Sequence, residues 1–107
     1  MKENLPREEI AKIDRADMLG RVLSMPQHFL EALQRVQSVR LELNTSRIQN
    51  IVVAGMGGSA ISGELTRSLT SNQLPAPLSV CRSYHLPNFV NHHSLVIVSS
   101  YSGNTEE

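Results

Sequence analysis

Two hydrophobic patterns divide the chain. Up to residue 45, apolar positions recur at helical spacing and predict helices. Pro6 suits a first turn, followed by Glu8 and Glu9, and Ile10 and Ile13 give a short apolar edge. Asp17 is expected to cap a short helix carrying Met18, Leu19, Val22 and Leu23. Pro26 restarts the helix. Phe29, Leu30, Leu33, Val36 and Leu41 then share one face, until Asn44-Thr45-Ser46 ends it. After residue 47 the pattern changes. Ile51-Val52-Val53-Ala54 is a continuous apolar run, as in a strand covered on both faces. A glycine-rich turn follows, and Ile61, Leu65 and Leu69 then predict a helix after Ser59, to about Thr70. Breakers fill 71–77. Residues 78–82 read as a mixed strand at a sheet edge, and 95–100 as a third, apolar strand. The stretch between them shows no helical period and is near the minimum length for a parallel crossover, about a dozen residues.

Strand, helix, strand, crossover, strand begins an open α/β sheet. The expected organisation is a helical segment over 1–46, then a parallel sheet of strand order 2-1-3 over 47–107. In that order the first and third strands flank a switch point, where ligands bind at carboxyl ends. The turn Gly55-Met56-Gly57-Gly58-Ser59-Ala60 leaves one such end, and Ser99-Ser100-Tyr101-Ser102-Gly103-Asn104-Thr105 leaves the other.

The first turn matches the dinucleotide pattern G-x-G-x-x-G/A, but the second strand ends in Cys81-Arg82 where an acid would hold the ribose. An Arg there accepts a 2′-phosphate, which keeps an NADP-binding reading open. The P-loop pattern fails, because no Lys-Ser or Lys-Thr follows at its spacing. The second loop brings Ser100, Ser102 and Thr105 close together, and Ser59 adds a hydroxyl from across the switch point. Hydroxyls and backbone N–H groups satisfy the terminal oxygens of a phosphate monoester without a fixed positive charge. The hydroxyls of Ser59, Ser100, Ser102 and Thr105, with the backbone of the glycine turn, therefore suit a phosphate.

Composition narrows the partners. The 107 residues are 40% hydrophobic and only 4% aromatic, without Trp, so Leu, Val, Ile and Ala must build the core. Ten basic and ten acidic residues balance, which argues against a nucleic-acid-binding domain. The single cysteine, Cys81, excludes an internal disulfide, suits a reduced cytoplasmic setting and reads as a small buried apolar residue. No apolar run has the length of a membrane helix and no signal-peptide core is present. His85, His92 and His93 read as loop histidines, because no acid or Cys stands at metal-ligand spacing; no metal is expected. Asn104-Thr105-Glu106-Glu107 reads as a helix start, with Thr105 as cap. The expectation is the first part of a longer protein. With its third strand as an uncovered apolar edge, the chain alone is expected to aggregate or stay partly unfolded.

The two loops resemble the SIS (sugar isomerase) domain. The G-M-G-G-S turn, R-S-Y-H-L-P at 82–87 and S-Y-S-G-N-T-E-E at the end are similar to the bifunctional phosphoglucose/phosphomannose isomerases. Asp17-Met18-Leu19 and the helix after Pro26 suit that family too. The resemblance implies an open three-layer, flavodoxin-like sheet, present here incompletely. It implies a hexose 6-phosphate held by Gly57, Gly58, Ser59, Ser100, Ser102 and Thr105, in a cytoplasmic homodimer of glycolysis and gluconeogenesis. The implied reaction interconverts glucose or mannose 6-phosphate with fructose 6-phosphate through an enediol, without metal or organic cofactor. The family's base glutamate and ring-opening histidine and lysine lie downstream of the second motif. This chain therefore carries no catalytic residue of that set, and alone it is expected to be inactive. A non-catalytic SIS-type sugar-phosphate sensor is the alternative.

Overall fold

The computed structural model describes residues 6–104 and residue 106. The chain divides between Glu42 and Leu43 into two compact units.

The first unit carries α1 (Arg7–Ile13), α2 (Met18–Leu23) and α3 (Met25–Gln37). Pro6 stands at the N-cap of α1, with Glu8 and Glu9 in the first turn, where acids suit the positive end of the helix. Pro26 lies in the first turn of α3. The helix ends at Gln37, so Leu41, expected on its face, lies outside it. Phe29, Leu30, Leu33 and Val36 form its apolar stripe, and none of the three helices buries a residue.

Asp17 holds the N-cap position of α2, as expected, but its side chain does not cap the helix. It sits in the left-handed region with φ 52° and makes no capping hydrogen bond. The carboxylate of Asp14 does the work. Its oxygens accept from the backbone N–H of Met18 at 2.8 Å and of Leu19 at 2.7 Å. These bonds stabilise the charged form and hold the Asp14 carboxyl below its usual range, with a smaller pull from Arg21. Asp14 also ends α1, its own N–H bonded to the Ile10 carbonyl, so one residue closes one helix and opens the next.

The second unit opens with a short 3₁₀ turn at Thr45–Arg47 and holds β1 (Asn50–Ala54), α4 (Gly58–Thr70), β2 (Leu78–Cys81) and β3 (Ser94–Val98). The strands form a parallel sheet of order β2-β1-β3. β1 is central, as its continuous apolar run requires, and Val52 is fully buried. The register aligns Val53 with Val80 and Ile97 on one face, and Ala54 with Cys81 and Val98 on the other.

α4 covers the Val53 face through small residues. Ala60 is fully buried, and a Cβ on Gly63 would stand 2.9 Å from Val53 Cγ1 and 3.2 Å from Val80 Cγ2. The missing Cβ brings the helix axis close to the sheet. Ile61, Leu65 and Leu69, the stripe that marks the helix in the sequence, are exposed. The segment after β2 runs without regular helix, as the sequence predicts. It passes the opposite face, where the Cys81 thiol lies 3.4 Å from the His85 carbonyl and 3.8 Å from that of Ser83. Cys81 is buried, in keeping with its reading as a small apolar residue.

Candidate functional site at the carboxyl ends of the central strands

β1 and β3 end side by side, and the chain keeps them joined for one more step. The Ser99 N–H donates to the Ala54 carbonyl at 2.8 Å, while the Gly55 N–H donates to that of Cys81 at 3.1 Å. Gly55 is where the two loops meet. A Cβ there would stand 2.8 Å from the Ser99 carbonyl oxygen, closer than real Cβ contacts come, so only glycine lets the backbones approach this far.

The turn then reverses at Gly57, with φ 52° and ψ −125°, a conformation disfavoured for residues with a Cβ. α4 begins at Gly58, so that Gly58 and Ser59, expected in the turn, already belong to the helix, and no side chain caps it. The N–H groups of Ser59 and Ala60 bond back to the carbonyls of Met56 and Gly57. Those of Gly57 and Gly58 make no backbone hydrogen bond to the described residues. No Cβ added at either position would meet another atom within 4 Å, so their outer side is open space. Donors at a helix N-terminus facing open space suit an anion.

Gly58, Ser59, Ser62, Ser99, Ser100 and Tyr101 line one open hollow. The structure thus brings Gly58, Ser59 and Ser100, three of the expected residues, to a common surface, with Gly57 beside them at the cap of α4. Ser100 Oγ accepts from the Gly103 N–H at 3.0 Å, and Ser102 Oγ accepts from the Asn104 N–H at 3.3 Å. These bonds fold the second loop on its own hydroxyls. Ser102 does not line the hollow, and Thr105 lies outside the described residues, as does part of the helix start expected at 104–107. Ser62, Ser99 and Tyr101 were not legible as site residues. Ser62 is spent on the Ser59 carbonyl at 2.8 Å, a local helix bond that any serine makes, while Tyr101 is fully exposed.

A second cavity, of about 170 Å³, opens on the other face of the sheet. Ala54, Val96 and Val98 floor it, Ser83, Tyr84 and Leu86 wall it, and Ser99 and Ser100 line it as they line the first hollow. Arg82, the residue that would take a 2′-phosphate in the dinucleotide reading, stands 3.7 Å from Glu64 Oε1. Glu64 also pairs with Arg67 at 2.9 Å, so its carboxylate is held between two guanidinium groups on the helix surface. His92 and His93 lie ring against ring, centroids 3.9 Å apart, near the amino end of β3. Among the described residues no group of His, Cys, Asp or Glu is arranged to hold a metal ion, and no helix is long and apolar enough to cross a membrane.

No family model and no solved structure matches the chain. Curated proteins do. A bifunctional phosphoglucose/phosphomannose isomerase of Caldicellulosiruptor bescii is 38% identical over 90 residues, 84% of this chain and 26% of that protein. The protein of the same name from Thermoplasma acidophilum is 48% identical over 63 residues, 59% of this chain and 19% of its own length. That of Aquifex aeolicus is 45% identical over 60 residues, 55% of this chain and 19% of its own. The chain spans about a quarter or less of the curated relatives it matches. Over that stretch it belongs, by sequence, with the bifunctional phosphoglucose/phosphomannose isomerases.

Proposed function

We propose that residues 47–107 form part of a SIS domain and provide the phosphate-binding wall of an aldose-ketose isomerase acting on hexose 6-phosphates. The observation that carries this reading is the meeting of the two loops. Gly55 holds the glycine turn against Ser99, and the result is a hollow edged by Gly58, Ser59 and Ser100. The relatives' shared name points the same way. Gly57 and Gly58 supply backbone N–H donors and Ser59 and Ser100 supply hydroxyls, with Ser102 and Thr105 completing the set from the second loop. A dianionic phosphate at the start of α4 gains from the helix dipole as well as from these bonds.

The wall's task is to fix the substrate by its non-reacting end. Binding energy gathered there orients the carbons where a proton moves between C1 and C2. No residue of this chain is assigned to that proton transfer. Glu64 is held by Arg67 and Arg82 on the helix surface. The reading requires neither a metal nor an organic cofactor, and it places the protein in cytoplasmic sugar-phosphate metabolism, as a homodimer.

The test is an assay of the full reading frame with fructose 6-phosphate, expected to yield glucose and mannose 6-phosphates. Ser59→Ala is expected to weaken sugar-phosphate binding about tenfold or more, the loss of one hydrogen bond to a charged group. Absence of both products would reject the isomerase. Phosphate-ester binding without turnover would point to the sensor instead.

A further inference from the structure

We infer that Tyr84, with Ser83 and Leu86, forms the wall that receives the carbon chain of the phosphate ester, so that Tyr84 is a positioning residue for the sugar end. The inference rests on the phosphate-binding reading above and deepens it. Two hollows meet at the carboxyl end of the sheet, and Ser99 and Ser100 line both. One is edged by the start of α4 and suits an anion. The other has an apolar floor of Ala54, Val96 and Val98, with Tyr84 and Ser83 at its side.

That combination matches a polyol. The C–H faces of a sugar pack on aromatic and aliphatic carbon, and its hydroxyls need donors and acceptors at the rim. Tyrosine offers both, an apolar ring with a polar tip. A phosphate placed in the first hollow leaves its ester carbon at the Ser99–Ser100 divide, with the next carbons entering the second. The cavity, about 170 Å³, is smaller than the roughly 300–1,000 Å³ pockets of larger ligands, and suits one end of a small molecule. The position of Tyr84 is fixed by its neighbours. The Ser83 hydroxyl accepts from the His85 N–H at 3.3 Å, and the buried Cys81 thiol lies against the same turn. This gives a task to R-S-Y-H-L-P, which the phosphate loops alone leave without one.

The experiment is calorimetric titration of the protein of the full reading frame, wild type and Tyr84→Ala, with fructose 6-phosphate and separately with inorganic phosphate; Ser59→Ala serves as the contrast. Tyr84 is 64% exposed, so its truncation leaves the core untouched, and a thermal melt checks this. Tyr84→Ala is expected to weaken fructose 6-phosphate at least fivefold and to leave inorganic phosphate within twofold, while Ser59→Ala weakens both. If Tyr84→Ala leaves fructose 6-phosphate within twofold, or weakens both ligands alike, the role of Tyr84 is overturned while the phosphate wall stands. If the wild-type chain binds neither ligand, the phosphate reading itself fails.

Discussion

At the scale of single residues, the turn after β1 sets three glycines to different tasks. Gly55 is small because a backbone passes beside it, Gly57 is flexible because its φ is positive, and Gly58 opens a helix with nothing near it. These tasks predict opposite responses to the same substitution. Gly57→Ala keeps ample space but forces a Cβ into a conformation that costs about 1–3 kcal/mol. Gly58→Ala meets no atom and no positive φ, and by narrowing the unfolded ensemble it stabilises by roughly 0.4–1 kcal/mol. Urea denaturation of the two variants checks the difference in sign; equal shifts would show that the turn is not held as described. A sequence shows that glycines cluster, but the tasks depend on where Ser99 lies, and that is fixed by pairing across the sheet.

At the scale of elements, the apolar runs of β1 and β3, the order of the strands and the extent of α4 were legible, because burial on a parallel sheet demands such runs. The packing face of α4 was not. The pattern of Ile61, Leu65 and Leu69 announces a helix, yet the contact is made by Ala60 and Gly63, whose small size carries no hydrophobic signal. The start of α2 was legible in kind but not in detail. Two aspartates precede it, and the carboxylate that reaches the N–H groups is Asp14, because Asp17 turns left-handed at φ 52°. The consequence is a pH dependence of known sign. Asp14 titrates below its ordinary 3.8 when α2 is formed, so the stability it lends is complete above that value. It is lost as pH falls through the depressed folded value. The Met18 and Leu19 amide resonances are expected to titrate together, with a midpoint below 3.8, and to lose that titration in Asp14→Ala. Movement of these amides with a midpoint above 3.8 would contradict the bond.

At the scale of the whole molecule, the question is how much apolar surface stays in water. The buried core among the described residues is Val52, Val53, Ala60, Ala76 and Cys81, all within the second unit. Against it stand exposed apolar side chains on all four α-helices and on β3. Ile97 is 46% exposed and Val98 73% exposed on β3, which among the described residues carries no further neighbour on its outer side in the sheet. Leu65 and Leu69 are exposed on α4, as are Phe29, Leu33 and Val36 on α3. A parallel edge strand with apolar side chains on both faces offers unpaired N–H and C=O groups beside a surface that water disfavours. The 107-residue chain is therefore expected to self-associate as its concentration rises, visible in sedimentation velocity as a growing fast component. Ile97→Lys places a charge on that strand, on the same sheet face as α4 but beyond the helix, which packs on β1 and β2, and away from the cavity beside Tyr84. It is expected to shift the population toward monomer without disturbing Val52 at the centre of the sheet. A wild-type chain that stays monomeric at all concentrations and melts in one cooperative step would show that these surfaces find cover within the chain itself.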